Sequence, residues 1–312
     1  MNNKISIELF EPYNFLKDNK DSIIIKKRVD FNNIMDTTKI ILLDTTENLY
    51  NVELPEGLEK IVIKNDLMNF FNNIKYPASL RSLHLEKSFN KSLKNLKIPQ
   101  YLEMLTLGNL FNQELEDYEL PTKLKMFKFP FCFNKKIEKI RLPEDLETLI
   151  FHGKFNQPIE NLVLPNKLKY LLIRSNFNQP INKLKLPDSL HSLELSDPFN
   201  QPINKLKLPD SLRSLKLSES FNHPIDELIL PDNLEVLDLG NIFNYPIEKI
   251  KLPSKLKELH LGSNFNHDIN YLPPNLKYLL IPESYKLKSD NIPKGIKVCH
   301  YRYDSTYLDY TT

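Results

Sequence analysis

Histidine, cysteine and carboxylate side chains are all present in this sequence, but none stand at spacings that catalysis or metal binding requires. The seven histidines are scattered. His84 and His260 fall on one repeated face far apart. His223 and His267 occupy equivalent places two repeats apart, which at about 4.8 Å per stacked strand is ~10 Å, too far to share a metal ion. There is no C-x-x-C and no H-E-x-x-H. Cys132 and Cys299 are remote from each other in sequence and imply no disulfide framework. A nucleophile needs an oriented base within hydrogen-bond reach, and Cys132 has no histidine in its column on adjacent repeats. Six glycines supply no phosphate-cradling loop. The expectation is a protein that is not an enzyme and needs no cofactor or metal.

The elements that would have to position such residues are set by an internal period. Phe-Asn pairs start at Phe89, Phe111, Phe133, Phe155, Phe177, Phe199, Phe221, Phe243 and Phe265, each 22 residues after the last. The shared frame is F-N-Q-P-I-x-x-L-x-L-P-x-x-L-x-x-L-x-L-x-x-x. Phe177–Leu190 and Phe199–Leu212 are identical, reading FNQPINKLKLPDSL. Outside this run the frame continues with defects. Leu54, Pro55, Leu58, Ile61 and Ile63 fit it, as do Phe71, Asn72, Pro77, Leu80, Leu83 and Leu85. Beyond Phe265, Pro274, Leu276, Leu279 and Ile281 resume the pattern, and Tyr285 takes the Phe place. A last partial coil places Pro293, Ile296, Cys299 and Tyr301 in the frame, with Cys299 as a buried filler of a leucine column.

A period of this length is the mark of a stacked repeat. In L-x-x-L-x-L the last two leucines alternate inward as strand residues, so that Leu215 and Leu217 point in while Ser214 and Lys216 point out. One coil cannot bury such a face, but stacked coils bury a continuous column. The Pro-closed segment I-x-x-L-x-L-P returns along the opposite wall and is too short for a full helix. The predicted architecture is a leucine-rich-repeat-like solenoid: a curved, right-handed parallel β stack of 22-residue coils with little helix and degenerate caps at both ends. Residues 1–44 are read as an N-terminal cap region, 45–285 as the solenoid and 286–312 as a C-terminal cap and tail. Ile23–Ile25 and Ile40–Leu43 read as strands of the first cap. Each corner Phe is expected to stack on those above and below. Each corner Asn is expected to bond backbone groups of its own and adjacent coils.

The units FNQPI…LP…L..L.L resemble the FNIP repeat, a relative of the leucine-rich repeat. The resemblance covers about residues 45–285 and implies a leucine-rich-repeat fold and protein–protein recognition. Relatives often carry an F-box ahead of the repeats, which makes them candidate substrate receptors of ubiquitin ligases. Residues 1–44 show no Leu-Pro-led F-box helix pattern.

Once Phe, Asn, Pro and Leu are assigned to the scaffold, the variable strand positions are left for binding. Met104, Met126, Ile150, Tyr170 and Leu172 are expected to form an exposed apolar patch on the middle coils. It would be bordered by Ser192, Glu194, Ser214, Lys216, Asp238 and Glu258, as at a protein contact surface. The position after the first leucine alternates in sign through Glu59, Arg81, Glu103, Lys125, Glu147 and Lys169, which favours in-register stacking.

Net charge is +2, too small for a strong general pull on nucleic acid or an anionic membrane. The opposite wall carries Lys97, Arg141, Lys185, Lys207 and Lys251, which a nucleic acid would need, but Glu119, Val163 and Ile229 interrupt them and no aromatics interleave. Met1–Phe10 lacks a signal-peptide core and no apolar run reaches membrane-span length, so a cytoplasmic protein is expected. The leading reading is a scaffold that binds a protein partner on its strand face. A structural, self-associating protein is the alternative, and nucleic-acid binding through the Lys wall the lesser one.

Overall fold

Short apolar-alternating segments bounded by Pro turns cannot extend beyond a few residues, and each coil accordingly contributes one short strand. The computed structural model describes residues 21–27, 30, 34–35, 37–44, 52–64, 75–86, 88–94, 96–116, 118–286 and 295–301. Its strands are β1 (Ser22–Ile25), β2 (Ile40–Leu43), β3 (Lys60–Ile63), β4 (Ser82–Leu85), β5 (Met104–Thr106), β6 (Met126–Lys128) and β7 (Thr148–Gly153). They continue with β8 (Tyr170–Ser175), β9 (Ser192–Leu195), β10 (Ser214–Lys216), β11 (Val236–Asp238), β12 (Glu258–His260), β13 (Tyr278–Pro282) and β14 (Lys297–Tyr301). All pairs are parallel between neighbouring coils. No α-helix occurs among the described residues. The Phe71-Asn72 corner and Pro293 lie outside the described residues.

Each coil turns the same way because each has the same two turn signals. In one typical coil Leu184 N donates to Ile181 O at 2.9 Å, and Leu190 N to Pro187 O at 3.0 Å. These are four-residue turns, so the second wall is extended chain between tight turns. Serines in the second turn tie coils together: Ser189 Oγ donates to Leu168 O, and Ser211 Oγ to Leu190 O, both at 2.7 Å.

The leucine columns fill the interior, and the corner phenylalanines from Phe111 to Phe243 are fully buried beside them. Rings from Phe89 to Phe265 stack coil on coil at 6.1–6.4 Å with planes 3–10° apart. A second ladder runs outside them. The backbone N of Asn178 donates to Asn156 Oδ1, that of Asn200 to Asn178 Oδ1 and that of Asn222 to Asn200 Oδ1, at 2.9–3.0 Å. Corner amides that the turn leaves unpaired are satisfied by the coil below.

Two departures from the frame matter. β1 to β5 form one ladder and β6 to β14 another, with no strand bonds between β5 and β6. The interruption falls where Phe127 and Phe129 replace the leucine pair, both fully buried. Phe129 packs against Phe133, Phe151 and Phe155 at 4.9, 4.8 and 6.0 Å. Two benzyl groups need more room than the leucines of the preceding coil, and the strand bonds give way while the corners stay joined through Cys132 N to Asn109 O at 2.8 Å.

The second departure corrects the sequence reading of the last coil. Val298 pairs with Leu279 in the inward column, whereas Cys299 pairs with Leu280 in the outward one. Cys299 is half-buried, not a core filler. A one-residue slip exchanges the faces of a strand, and half-buried Val298, more apolar than Cys299, is the residue packed against the core.

Candidate functional site on the strand face of the middle coils

Outward positions on the strands are among those that the packing leaves free to vary. The alternating charges there are largely matched across coils: Arg81 with Glu103 at 3.3 Å, Lys169 with Glu147 at 2.8 Å and Lys257 with Glu235 at 2.7 Å. Being exposed, each pair contributes little, about 0–1 kcal/mol.

Met104, Met126 and Tyr170 are half-buried on this face, with Met104 and Met126 on either side of the β5–β6 interruption. Ile150 and Leu172 depart from the expectation of an exposed patch. They are only 7% and 5% exposed. The two are register partners on β7 and β8 and shield each other, with half-buried Lys128 opposite Ile150 on β6. The apolar centre is thus largely covered, and its accessible parts are the flanking Met104, Met126 and Tyr170.

The strands themselves extend this face further than the repeat frame suggests. β7 and β8 run for six residues where β10, β11 and β12 run for three. His152 and Arg174 therefore become paired strand residues in the same outward rows as Ile150 and Leu172. Where they end lies a hollow of about 420 Å³, lined among others by Phe131, His152, Gly153, Lys154, Arg174 and Ser175. Gly153 has φ +65°, and a Cβ there would sit 2.2 Å from the carbonyl oxygen of Phe131. Only glycine allows this approach.

Arg174 donates to both carboxylate oxygens of Glu194, at 2.5 and 2.8 Å. That hydrogen-bonded partner raises the Arg174 pKa above its ordinary value. Burial, then the charges of Lys128 and Arg174, push the His152 imidazole below its ordinary value. Burial and the neighbouring Arg174 likewise lower the Lys128 ammonium. Burial acts to raise Asp197, but hydrogen bonds from Ser218 and Ser220 outweigh it and hold the carboxyl below its usual range. Sequence reasoning missed His152, Arg174 and Phe131 because it ended every strand at the last leucine. The scarce Gly153, directly after His152, was the available signal.

The other chemistry-bearing residues are absorbed by the scaffold. His223 and His267 stand where Gln stands elsewhere, and each Nε2 donates to the corner carbonyl below, Asn200 O or Asn244 O, at 3.1 Å. Gln113 Nε2 does the same to Asn90 O at 3.2 Å. His260 pairs with Asp238 at 3.2 Å. His84 is buried with Nε2 unpartnered, and burial, aided by Lys60, pushes its pKa down to about 3. Among the described residues no three His, Cys, Asp or Glu gather as metal ligands, and no helix is long and apolar enough to cross a membrane. On the opposite wall the basic column is broken by Val163 and Ile229, 77% and 84% exposed, and Arg141 is paired with Glu119.

The FNIP Repeat family model matches residues 89–132, 111–154, 133–176, 155–198, 177–220, 199–242 and 243–284. The chain belongs to the FNIP repeat family. In this FNIP chain the stacked Phe and the Asn ladder are the physical content of the first two letters of the motif. Among solved structures the chain is similar to CroV588, described as a novel circular leucine-rich-repeat protein, with 28% identity and a TM-score of 0.62. That match covers 86% of this chain and 47% of CroV588, so the FNIP chain spans about half the length of that neighbour. YopM from Yersinia enterocolitica WA-314 is 22% identical with a TM-score of 0.39, over 82% of this chain and 64% of its own. A leucine-rich repeat protein from Bacteroides ovatus ATCC 8483 is 17% identical with a TM-score of 0.22, over 86% and 77%. No curated protein matches the FNIP chain.

Proposed function

We propose that this chain is a non-catalytic recognition scaffold that binds another protein along the strand face of its middle coils. The leucine-rich-repeat-like fold is typical of interaction scaffolds, and the carrying observation is local. Among the described residues the strands reach six residues only here, in two adjacent coils, and half-buried Met104, Met126 and Tyr170 flank an apolar centre at Ile150 and Leu172. Partly accessible Met and Tyr beside charged residues such as Glu194 and Lys216 suit a protein contact, with Met supplying adaptable surface and Tyr a rigid amphipathic anchor. In this reading Ile150 and Leu172 support the contact surface from beneath.

The test is affinity capture from the native cell with the intact chain and with Met126→Glu plus Tyr170→Glu. Both side chains are half-buried at the surface, so the fold should survive, which circular dichroism checks. Partners captured by the native chain should be lost by the double variant. An unchanged set of partners overturns the proposal.

A further inference from the structure

Where each strand begins, two successive backbone amides donate to one carbonyl of the preceding coil. Glu103 N and Met104 N reach Arg81 O at 2.9 and 3.0 Å, and Glu147 N and Thr148 N reach Lys125 O at 2.8 and 3.0 Å. The same pair of bonds recurs at the other junctions from β1–β2 to β12–β13, but among the described residues neither Lys125 N nor Met126 N bonds Glu103 O. The charges skip the same junction. Glu103 turns back to Arg81 at 3.3 Å and Lys125 turns onward to Asp145 at 4.0 Å, in place of the Glu103–Lys125 pair that the alternation of sign implies. We propose that the β5–β6 seam is a joint, held open by Phe127 and Phe129, that divides the solenoid into two cooperative units, β1–β5 and β6–β14.

In a stacked repeat each coil touches only its neighbours. Stability is then roughly a sum of coil terms and nearest-neighbour terms, and cooperativity fails first at the weakest junction. The corner ties that remain at the seam are those of an ordinary junction. Cys132 N donates to Asn109 O at 2.8 Å, Asn134 N to Asn112 Oδ1 at 2.9 Å, and Phe133 stacks on Phe111 at 6.4 Å. One coil on, Lys154 N donates to Phe131 O at 2.7 Å, Asn156 N to Asn134 Oδ1 at 3.0 Å, and Phe155 stacks on Phe133 at 6.2 Å. Thr122 N adds one tie at the turn before β6, to Gln100 O at 2.9 Å. Against that single gain stands the loss of the strand ladder, which is whole again on the far side of β6, where Phe129 N donates to Ile150 O at 2.8 Å. The apolar column runs through the seam without a break and keeps the native chain closed. Apolar contact is non-directional, however, and does not couple one strand to the next as a ladder does. The joint is independent of the recognition reading, although Met104 and Met126 of that surface fall on opposite sides of it.

The experiment is native-state hydrogen exchange of the full chain in low concentrations of urea, read at single amides. Lys125 and Met126 should exchange about ten-fold or more faster than Glu147 and Thr148, the factor for one missing net hydrogen bond. Amides of β2–β4 should share one opening free energy and urea dependence, and those of β8–β11 a different one, with a step between them at the seam. A single shared opening, or a smooth gradient from the chain end as simple fraying produces, would overturn the joint. Phe127→Leu with Phe129→Leu restores the leucine pair and should slow Lys125 and Met126 and shrink the step, even while the lost volume lowers stability. Phe151→Leu, a similar loss of volume one coil on, should lower stability without slowing those two amides. The opposite signs separate re-knitting from destabilisation. Unchanged exchange at Lys125 and Met126 in the double variant, or equal slowing in Phe151→Leu, would remove the role given to Phe127 and Phe129 and with it the proposal.

Discussion

His84 offers a stability experiment whose sign and size follow from its surroundings. It lies on β4 between Val62 and Thr106, almost fully buried, with Nε2 unpartnered and the Lys60 charge nearby. Its pKa falls from 6.5 to about 3. The folded group thus refuses a proton that the unfolded chain accepts below pH 6.5. Where the unfolded state binds more protons, stability rises with pH, so this histidine removes stability as pH falls from 6.5 toward 3. At one pKa unit per 1.36 kcal/mol, lowering pH from 7 to 5 costs about 2 kcal/mol from this residue, before carboxylates titrate strongly. His84→Leu places a leucine in a column that already holds Leu42 and Val62, and it removes both the titration and the orphan nitrogen. The assay is urea unfolding at pH 7 and pH 5, with amide exchange over residues 60–63, 82–85 and 104–106 to localise the change. His152, also depressed, titrates with the same sign in both proteins, so the difference between them isolates His84. A wild-type protein that loses no more stability than His84→Leu across that interval would refute the argument.

Two further outcomes test the scaffold. Phe177 is fully buried and stacks at 6.2 Å on Phe155 and 6.1 Å on Phe199. Phe177→Ala should cost about 3–5 kcal/mol in unfolding free energy from lost burial and the cavity left behind, with Phe177→Leu clearly milder; equal effects of the two in urea titration would contradict a stacked spine. Gly153→Ala should cost about 1–3 kcal/mol for the left-handed backbone alone, and its Cβ clash with the Phe131 carbonyl should shift the Phe131 and His152 resonances; a neutral variant by both measures would show that the close approach is dispensable.

Most of the scaffold was legible because each of its contacts joins a residue to its own copy one coil away. The stacking of Phe155, Phe177 and Phe199 and the Asn156–Asn178–Asn200 ladder need only the knowledge that coils stack in register. The same logic gave the inward leucines and the pairing of Arg81 with Glu103. The candidate site was legible only in location. Met126 and Tyr170 were found in the right rows, but whether an outward side chain is exposed depends on its neighbours on other coils. That is how Ile150 and Leu172 come to be covered.

What the sequence by itself determined, then, is whatever the period repeats: the parallel stack, the Pro turns, the aromatic spine and the amide ladder. Tertiary structure alone decided where the period is broken. It opened the ladder beside Phe127 and Phe129, slid Val298 into the place of Cys299, and ran β7 and β8 past their last inward residue. It also set Arg174 diagonally against Glu194. Each of these turns on relative volumes and distances between different residues of neighbouring coils, and a repeat frame, which compares only equivalent positions, carries no such information.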